Sequence, residues 1–280
     1  MFTRKQHYYP RCLLKHFANE NNMVYVYIRQ ANKETFMNYE KVCVSSDAYE
    51  SEDRVDNILE HKLGKYESEI EKVVDYIIKN INSKSLDVSV NMQNKIFQYI
   101  HLQYLRTDAG RINFMNLIEN PFTHKPRKKP IDLDEIQKNK KKIKKFNEIF
   151  KQGNKLENLL RKMKKPSNMN FHIATSEDNL LTSDNPVIAT DNWKQIMLPI
   201  TPNILVEFQE NTINSSNNFE VRLTKNKIKY VNQATINTAN YFIISNKEFT
   251  HYQHKYIDNR FNNKNWEIGY PHVSLKNKIF

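Results

Sequence analysis

The chain has 280 residues, 39% hydrophobic and 26% charged, with fifteen Phe and fifteen Tyr; that apolar mass supports a sizeable core and excludes wholesale disorder. No stretch approaches the roughly 18 apolar residues of a spanning helix, charges interrupt the opening residues where a secretory leader would be apolar, and Cys12 and Cys43 make neither a disulfide framework nor a four-thiolate zinc site. The formal charge of +12 comes almost wholly from residues 125–165, where sixteen Lys or Arg meet five Asp or Glu.

In chain order, a polar lead turns at Pro10 into an apolar segment ending at Phe17. Residues 23–29 are rich in β-branched and aromatic side chains and predict a strand, with an antiparallel partner near 39–45. From Asp53 the apolar period changes. Val55, Ile58, Leu59, Leu63, Tyr66, Ile70, Val73, Val74, Ile77, Ile78 and Ile81 form one face and predict a long helix. A second helix is predicted from about 89 to 117, weakened at Gly110 and ended at the latest by Pro121.

The basic segment follows. Ile143, Phe146, Ile149, Phe150, Leu156, Leu159, Leu160 and Met163 recur at near-helical spacing, with Gly153 between two halves. Burying that stripe would turn the lysines outward as a positive ridge able to follow a phosphate backbone by counterion release. The same residues also suit an ordinary solvated face in a Lys- and Asn-rich chain.

After Pro166 the pattern becomes strands, at 170–174, 179–181, 187–189, 195–198, 204–208 and 220–223, with a loop at 214–218. A short helix at 231–239 and a strand at 241–245 close the pattern. The expected fold class is α+β: central long helices packed with a mainly antiparallel sheet formed largely by the C-terminal half. The expectation is a single domain over 1–280, with 125–165 a basic helical ridge.

Four glycines leave no phosphate loop, dinucleotide fingerprint or nucleophile elbow. His7, just before the turn at Pro10, is a candidate general acid or base, or a pin for the N-terminal segment. Glu60 and Glu67 lie seven apart at the rim of the helix stripe, where two carboxylates could hold a metal or an arginine, or simply mark the boundary of the apolar face. Arg106, at the edge of its stripe, needs a carboxylate or a phosphate-like anion. Residues 180–188 set Thr182-Ser183-Asp184-Asn185-Pro186 between apolar arms. There Asp184 is either a turn residue bonding local backbone or a base or metal ligand in a cleft. His251 and His254 have helical metal spacing without a close third ligand and read as a chance pair.

Taken together, His7-Tyr8-Tyr9-Pro10 with Leu13 and Phe17, the strand at Val24-Tyr25-Val26-Tyr27, Glu60 with Glu67, Gln103-Tyr104-Leu105-Arg106-Thr107, the 182–186 motif, Leu198-Pro199-Ile200-Thr201-Pro202, and Asn232 leading to Ala239 resemble the bacterial domain of unknown function 4238 family. The family usually has Gln after the proline, where this chain has Arg11. The resemblance implies no activity, but nominates His7, Glu60, Glu67, Arg106, Asp184 and Asn185 as the polar motif residues.

The expectation drawn from this is a cytoplasmic phosphodiester-cleaving enzyme, acting on RNA more than DNA, in a role that would suit a bacterial defence or toxin effector. Lys128, Lys129, Lys141, Lys142, Lys144, Lys145 and Arg161 would bind the nucleic acid, and His7, Arg106, Asp184 and Asn185 would form the catalytic site. Glu60 and Glu67 would hold a divalent Mg²⁺ or Mn²⁺. No membrane partner is expected. The alternative is a non-catalytic nucleic-acid or protein-binding effector whose polar network is structural; a third reading is a small-ligand sensor with Arg106 holding an anion.

Overall fold

The computed structural model describes residues 4–51, 55–81, 83, 86–121, 131–190, 193–211 and 219–263. The chain runs through β1 (Lys5–His7), α1 (Arg11–Leu14), β2 (Met23–Ile28), β3 (Lys33–Asn38) and β4 (Val44–Ser46). The helical stretch is α2 (Ile58–Asn80), α3 (Val90–Arg106), α4 (Asp108–Glu119), α5 (Leu133–Lys138), α6 (Lys140–Lys151) and α7 (Lys155–Lys162). Then come β5 (Met169–Thr175), β6 (Thr182–Ser183), β7 (Ile188–Ala189), β8 (Gln195–Thr201), β9 (Ile204–Glu210) and β10 (Glu220–Arg222). Last are α8 (Lys225–Thr238), β11 (Phe242–Ser245) and α9 (His251–Asn262). The α+β class stands. The chain divides into two compact units: 1–12 with 43–165, and 13–42 with 166–280.

The first unit is mainly helical. β1 and β4 pair antiparallel, with His7 opposite Val44. Helix α2 buries Leu59, Leu63, Ile70, Val73, Val74 and Ile77, the stripe that the period requires. The helix predicted over 89–117 is two helices. Thr107 is extended (φ −75°, ψ 153°), and its hydroxyl accepts the Gly110 N–H to cap α4. Gly110 is not merely a weak point: a Cβ there would stand 1.9 Å from the Tyr104 carbonyl oxygen. The basic segment breaks at Gly153, whose φ of +45° suits a residue without Cβ. Phe146 and Phe150 of α6 pack with Phe114 of α4.

In the second unit, a four-stranded sheet runs β3-β2-β11-β6 and a five-stranded sheet runs β10-β5-β9-β8-β7. Strands from both ends of the chain therefore share a sheet. Pairing is antiparallel except for β10 with β5. The partner of β2 is β3, not the predicted 39–45. Asn38 caps a 3₁₀ turn at Tyr39–Lys41, Cys43 takes φ +55°, and the chain has no continuous extended run there. Helix α8 starts six residues before the predicted 231, because Thr224 caps it and lysines dilute the apolar signal of its first turn. Ala174, Leu180, Met197, Leu205 and Val231 form one core cluster; Leu181, Ile236, Ile243 and Ile257 belong to another. The loop predicted at 214–218 lies outside the described residues.

Candidate functional site

The six polar motif residues fall into two sets: His7, Glu60, Glu67 and Arg106 in the first unit, Asp184 and Asn185 in the second.

Arg106, at the C-terminal end of α3, has a side chain only 1% exposed. Its guanidinium is held on several sides. Nε donates to the Tyr49 hydroxyl at 2.9 Å, Nη2 donates to the His7 carbonyl, and Nη1 lies 2.7 Å from Glu67 Oε1. Of the occupants considered for the carboxylate pair, Glu67 has taken the arginine. His7 enters this cluster through its backbone oxygen, which also accepts the Tyr49 O–H at 3.0 Å. Burial pushes the Tyr49 phenol up to about 12, so it remains a hydroxyl. Gln103, one turn before Arg106, donates to the Tyr8 carbonyl and accepts from Tyr99.

Glu60 differs from its neighbours. It sits in the first turn of α2 near Arg106, Glu67, Glu50 and Arg11, and its Oε2 is buried without a hydrogen-bond partner. Burial raises its pKa to about 7; Glu67 and Glu50 push the same way, while Arg106 and Arg11 oppose them. Its side chain is half-buried, whereas Glu67 is 27% exposed and Arg11 is exposed. Such a carboxyl can give or take a proton near neutrality. Among the described residues, no group of three or more His, Cys, Asp or Glu is placed to hold a metal ion.

In the second unit, Asp184 is 1% exposed. Its Oδ1 accepts the backbone N–H groups of Asn240, Tyr241 and Phe242 at 3.0, 2.9 and 2.8 Å. Asn185 donates to the Thr238 carbonyl and accepts from the Thr238 hydroxyl through its own carbonyl. This pair fastens the short strand β6 to the end of α8 and the start of β11. These bonds are not those of a local turn: the backbone groups that Asp184 satisfies lie 56–58 residues further along the chain, so the carboxylate ties two distant segments together.

Lys141, Lys144 and Arg161 are exposed on α6 and α7, as are Lys140, Lys155 and Lys162, and Lys164 is exposed just past the end of α7. Lys142 and Lys145 both pair with Glu119, at 3.3 and 3.4 Å. Lys128 and Lys129 lie outside the described residues.

Two buried networks were not anticipated from the sequence. In the first unit, Lys151 bridges Glu50 (2.8 Å) and Asp56 (3.0 Å), while Gln6 and Asn57 donate to the Glu50 carboxylate. Burial alone would raise the Glu50 pKa, but the bonds from Lys151, Gln6 and the Asp56 amide hold it down at about 2. Asn147, a polar residue within the apolar stripe of α6, donates to the carbonyls of Ala48 and Glu50 and was the available signal. In the second unit, Lys227 and Glu207 form an ion pair at 3.1 Å with both side chains fully buried. Glu207 interrupts the apolar run Ile204–Phe208 at an inward position, which marks it in the sequence.

A family model described as a protein of unknown function (DUF4238) matches residues 5–249. No curated protein and no solved structure matches the chain. Among the described residues no helix is long and apolar enough to cross a membrane.

Proposed function

The chain belongs to the DUF4238 family, whose description assigns no activity, and on that premise we propose that it binds nucleic acid along the phosphate backbone through the outer surface of α6 and α7. The carrying observation is the cluster of exposed cations there: Lys140, Lys141, Lys144, Lys155, Arg161, Lys162 and Lys164, with Glu148 the exposed acid of α6. Their apolar neighbours Phe146, Phe150, Leu156 and Leu160 are buried, so the helices face their lysines outward. Cations set along helices attract phosphates without reading bases.

The test is fluorescence anisotropy of labelled RNA and duplex DNA across a salt series, with wild type beside Lys141→Gln/Lys144→Gln/Arg161→Gln. Wild-type affinity falls linearly in log–log with salt. Removing three phosphate contacts on duplex DNA lowers that slope by about 2–3, at roughly 0.9 per contact. No binding at low salt, or equal slopes for the two proteins, overturns the reading.

A second reading, hydrolysis of the bound polymer, is favoured by the unpartnered Glu60 carboxyl beside Glu67 and Arg106. The bonds made by Asp184 and Asn185 give the catalytic roles expected for them no further support.

A further inference from the structure

We propose that Glu60 and Glu67 are the acid and base of an RNA-cleaving site in the first unit, working by attack of the substrate's own 2′-hydroxyl. The inference rests on the nucleic-acid-binding reading and adds the substrate's sugar and the reaction.

Three observations converge. Glu60 Oε2 is buried with no hydrogen-bond partner, which leaves a site for a partner the free chain does not supply. Arg106 is buried against the pair; its Nη1 stands 2.7 Å from Glu67 Oε1, yet makes no aligned hydrogen bond to it. Both carboxyls lie at a rim that includes the exposed Arg11, so the cluster is not sealed within the core.

The chemistry divides accordingly. Glu67, whose Oε1 lies 2.7 Å from the Arg106 guanidinium, takes the proton from the 2′-hydroxyl. The 2′-oxygen bonds to phosphorus as the P–O5′ bond breaks, and Glu60 gives its proton to the departing O5′. The products are a 2′,3′-cyclic phosphate and a free 5′-hydroxyl, with one proton taken and one given. Arg106 and Arg11 supply positive charge where the pentacoordinate phosphorane gathers negative charge. The groups facing Glu60 are Glu67 from its own helix, Arg106 from α3, Arg11 from α1, and Glu50 and Tyr49 from the segment before α2. A neutral Glu60 is available up to about pH 7, so the acid is lost above that value.

The experiment incubates the full chain with 5′-labelled single-stranded RNA, the same oligomer with one 2′-deoxy nucleotide, and all-DNA, each with and without EDTA and from about pH 5 to about pH 9. Glu60→Gln runs beside wild type, with anisotropy measured on the same samples. Expected are EDTA-resistant cleavage, 2′,3′-cyclic phosphate ends, protection at the deoxy position, and a rate falling above about pH 7. Glu60→Gln should bind as wild type and cleave about 10²–10⁴-fold more slowly. Circular dichroism and the binding itself report whether the variant is folded, and Glu60→Asp serves as a second variant that restores part of the rate. Salt-sensitive binding without cleavage overturns this inference and leaves the binding reading standing. Cleavage equal in Glu60→Gln, cleavage of all-DNA, or loss in EDTA overturns it too. Cleavage lost in Glu60→Gln but indifferent to Lys141, Lys144 and Arg161 upholds the inference and overturns the binding reading.

Discussion

Replacing Asp184 separates a structural carboxylate from a catalytic one. Its Oδ1 accepts three backbone N–H groups within 3.0 Å, in a site 1% exposed. Alanine would leave those three donors facing an apolar gap. Each unsatisfied buried donor costs about 1–3 kcal/mol, and water entering the gap holds the total to about 3–5 kcal/mol. Asparagine keeps an oxygen at the same place. The three bonds persist as neutral ones, roughly half as strong, so Asp184→Asn should cost about 1–2 kcal/mol. Urea unfolding at pH 7 measures the difference, and Trp193 lies in the same unit to report it. With an m-value of about 2 kcal/mol per molar, alanine moves the midpoint down by about 2 M and asparagine by less than about 1 M. A wild-type midpoint in Asp184→Ala, or equal midpoints in the two variants, refutes the structural account and restores Asp184 as a functional candidate.

Glu60→Gln should stabilise the protein in a pH-dependent way. The folded-state pKa is raised from 4.5 to about 7, so the penalty is absent below the unfolded value, grows between the two, and is complete above the folded one. At about pH 8 the variant gains up to about 3 kcal/mol, and at about pH 4 nothing, as read by urea midpoints; a gain independent of pH contradicts the assignment. Lys151→Met strands Glu50 and Asp56 and should cost about 3–5 kcal/mol, whereas a loss near zero would mean water replaces the ammonium. Gly110→Ala drives a methyl against the Tyr104 carbonyl, so the α3–α4 junction must shift; a loss of about 2–3 kcal/mol in thermal unfolding is expected, and wild-type stability would show that the junction is not tightly set.

Period and composition carried much of the fold. Nine of the eleven predicted apolar positions fall in α2 and recur along its whole length of about six turns, and nothing else competes for that segment. The partner of β2 was illegible because pairing depends on which short run stays extended, and Cys43 with its positive φ ends the predicted one. The split of α3 from α4 escaped for a similar reason: Thr107 and Gly110 act together through one hydroxyl, and composition treats them separately. For the motif residues, the sequence named the side chains but not what each of them bonds. Arg106 and Glu67 were legible as partners, since a semi-buried guanidinium demands an anion. Asp184 was not resolved, because structural and catalytic aspartates have the same neighbours in sequence and differ only in what they bond.

Satisfied and unsatisfied polarity then sort the motif residues by function. Asp184 has three donors, Arg106 has Tyr49, His7 and Glu67, and Glu50 has Lys151, Gln6 and Asn57. A buried ion pair such as Glu207 with Lys227 adds little net stability over an apolar pair, yet breaking it is costly, so such groups select one packing. Glu60 is less buried than these residues, but its Oε2 is buried and no described donor reaches it. Arg106 and Arg11 offset its desolvation only in part, and in the proposed reaction a substrate oxygen accepting its proton would supply the missing bond. In the proposed reaction that difference favours Glu60 over Asp184 as the acid, with Arg106 both holding Glu67 and supplying positive charge.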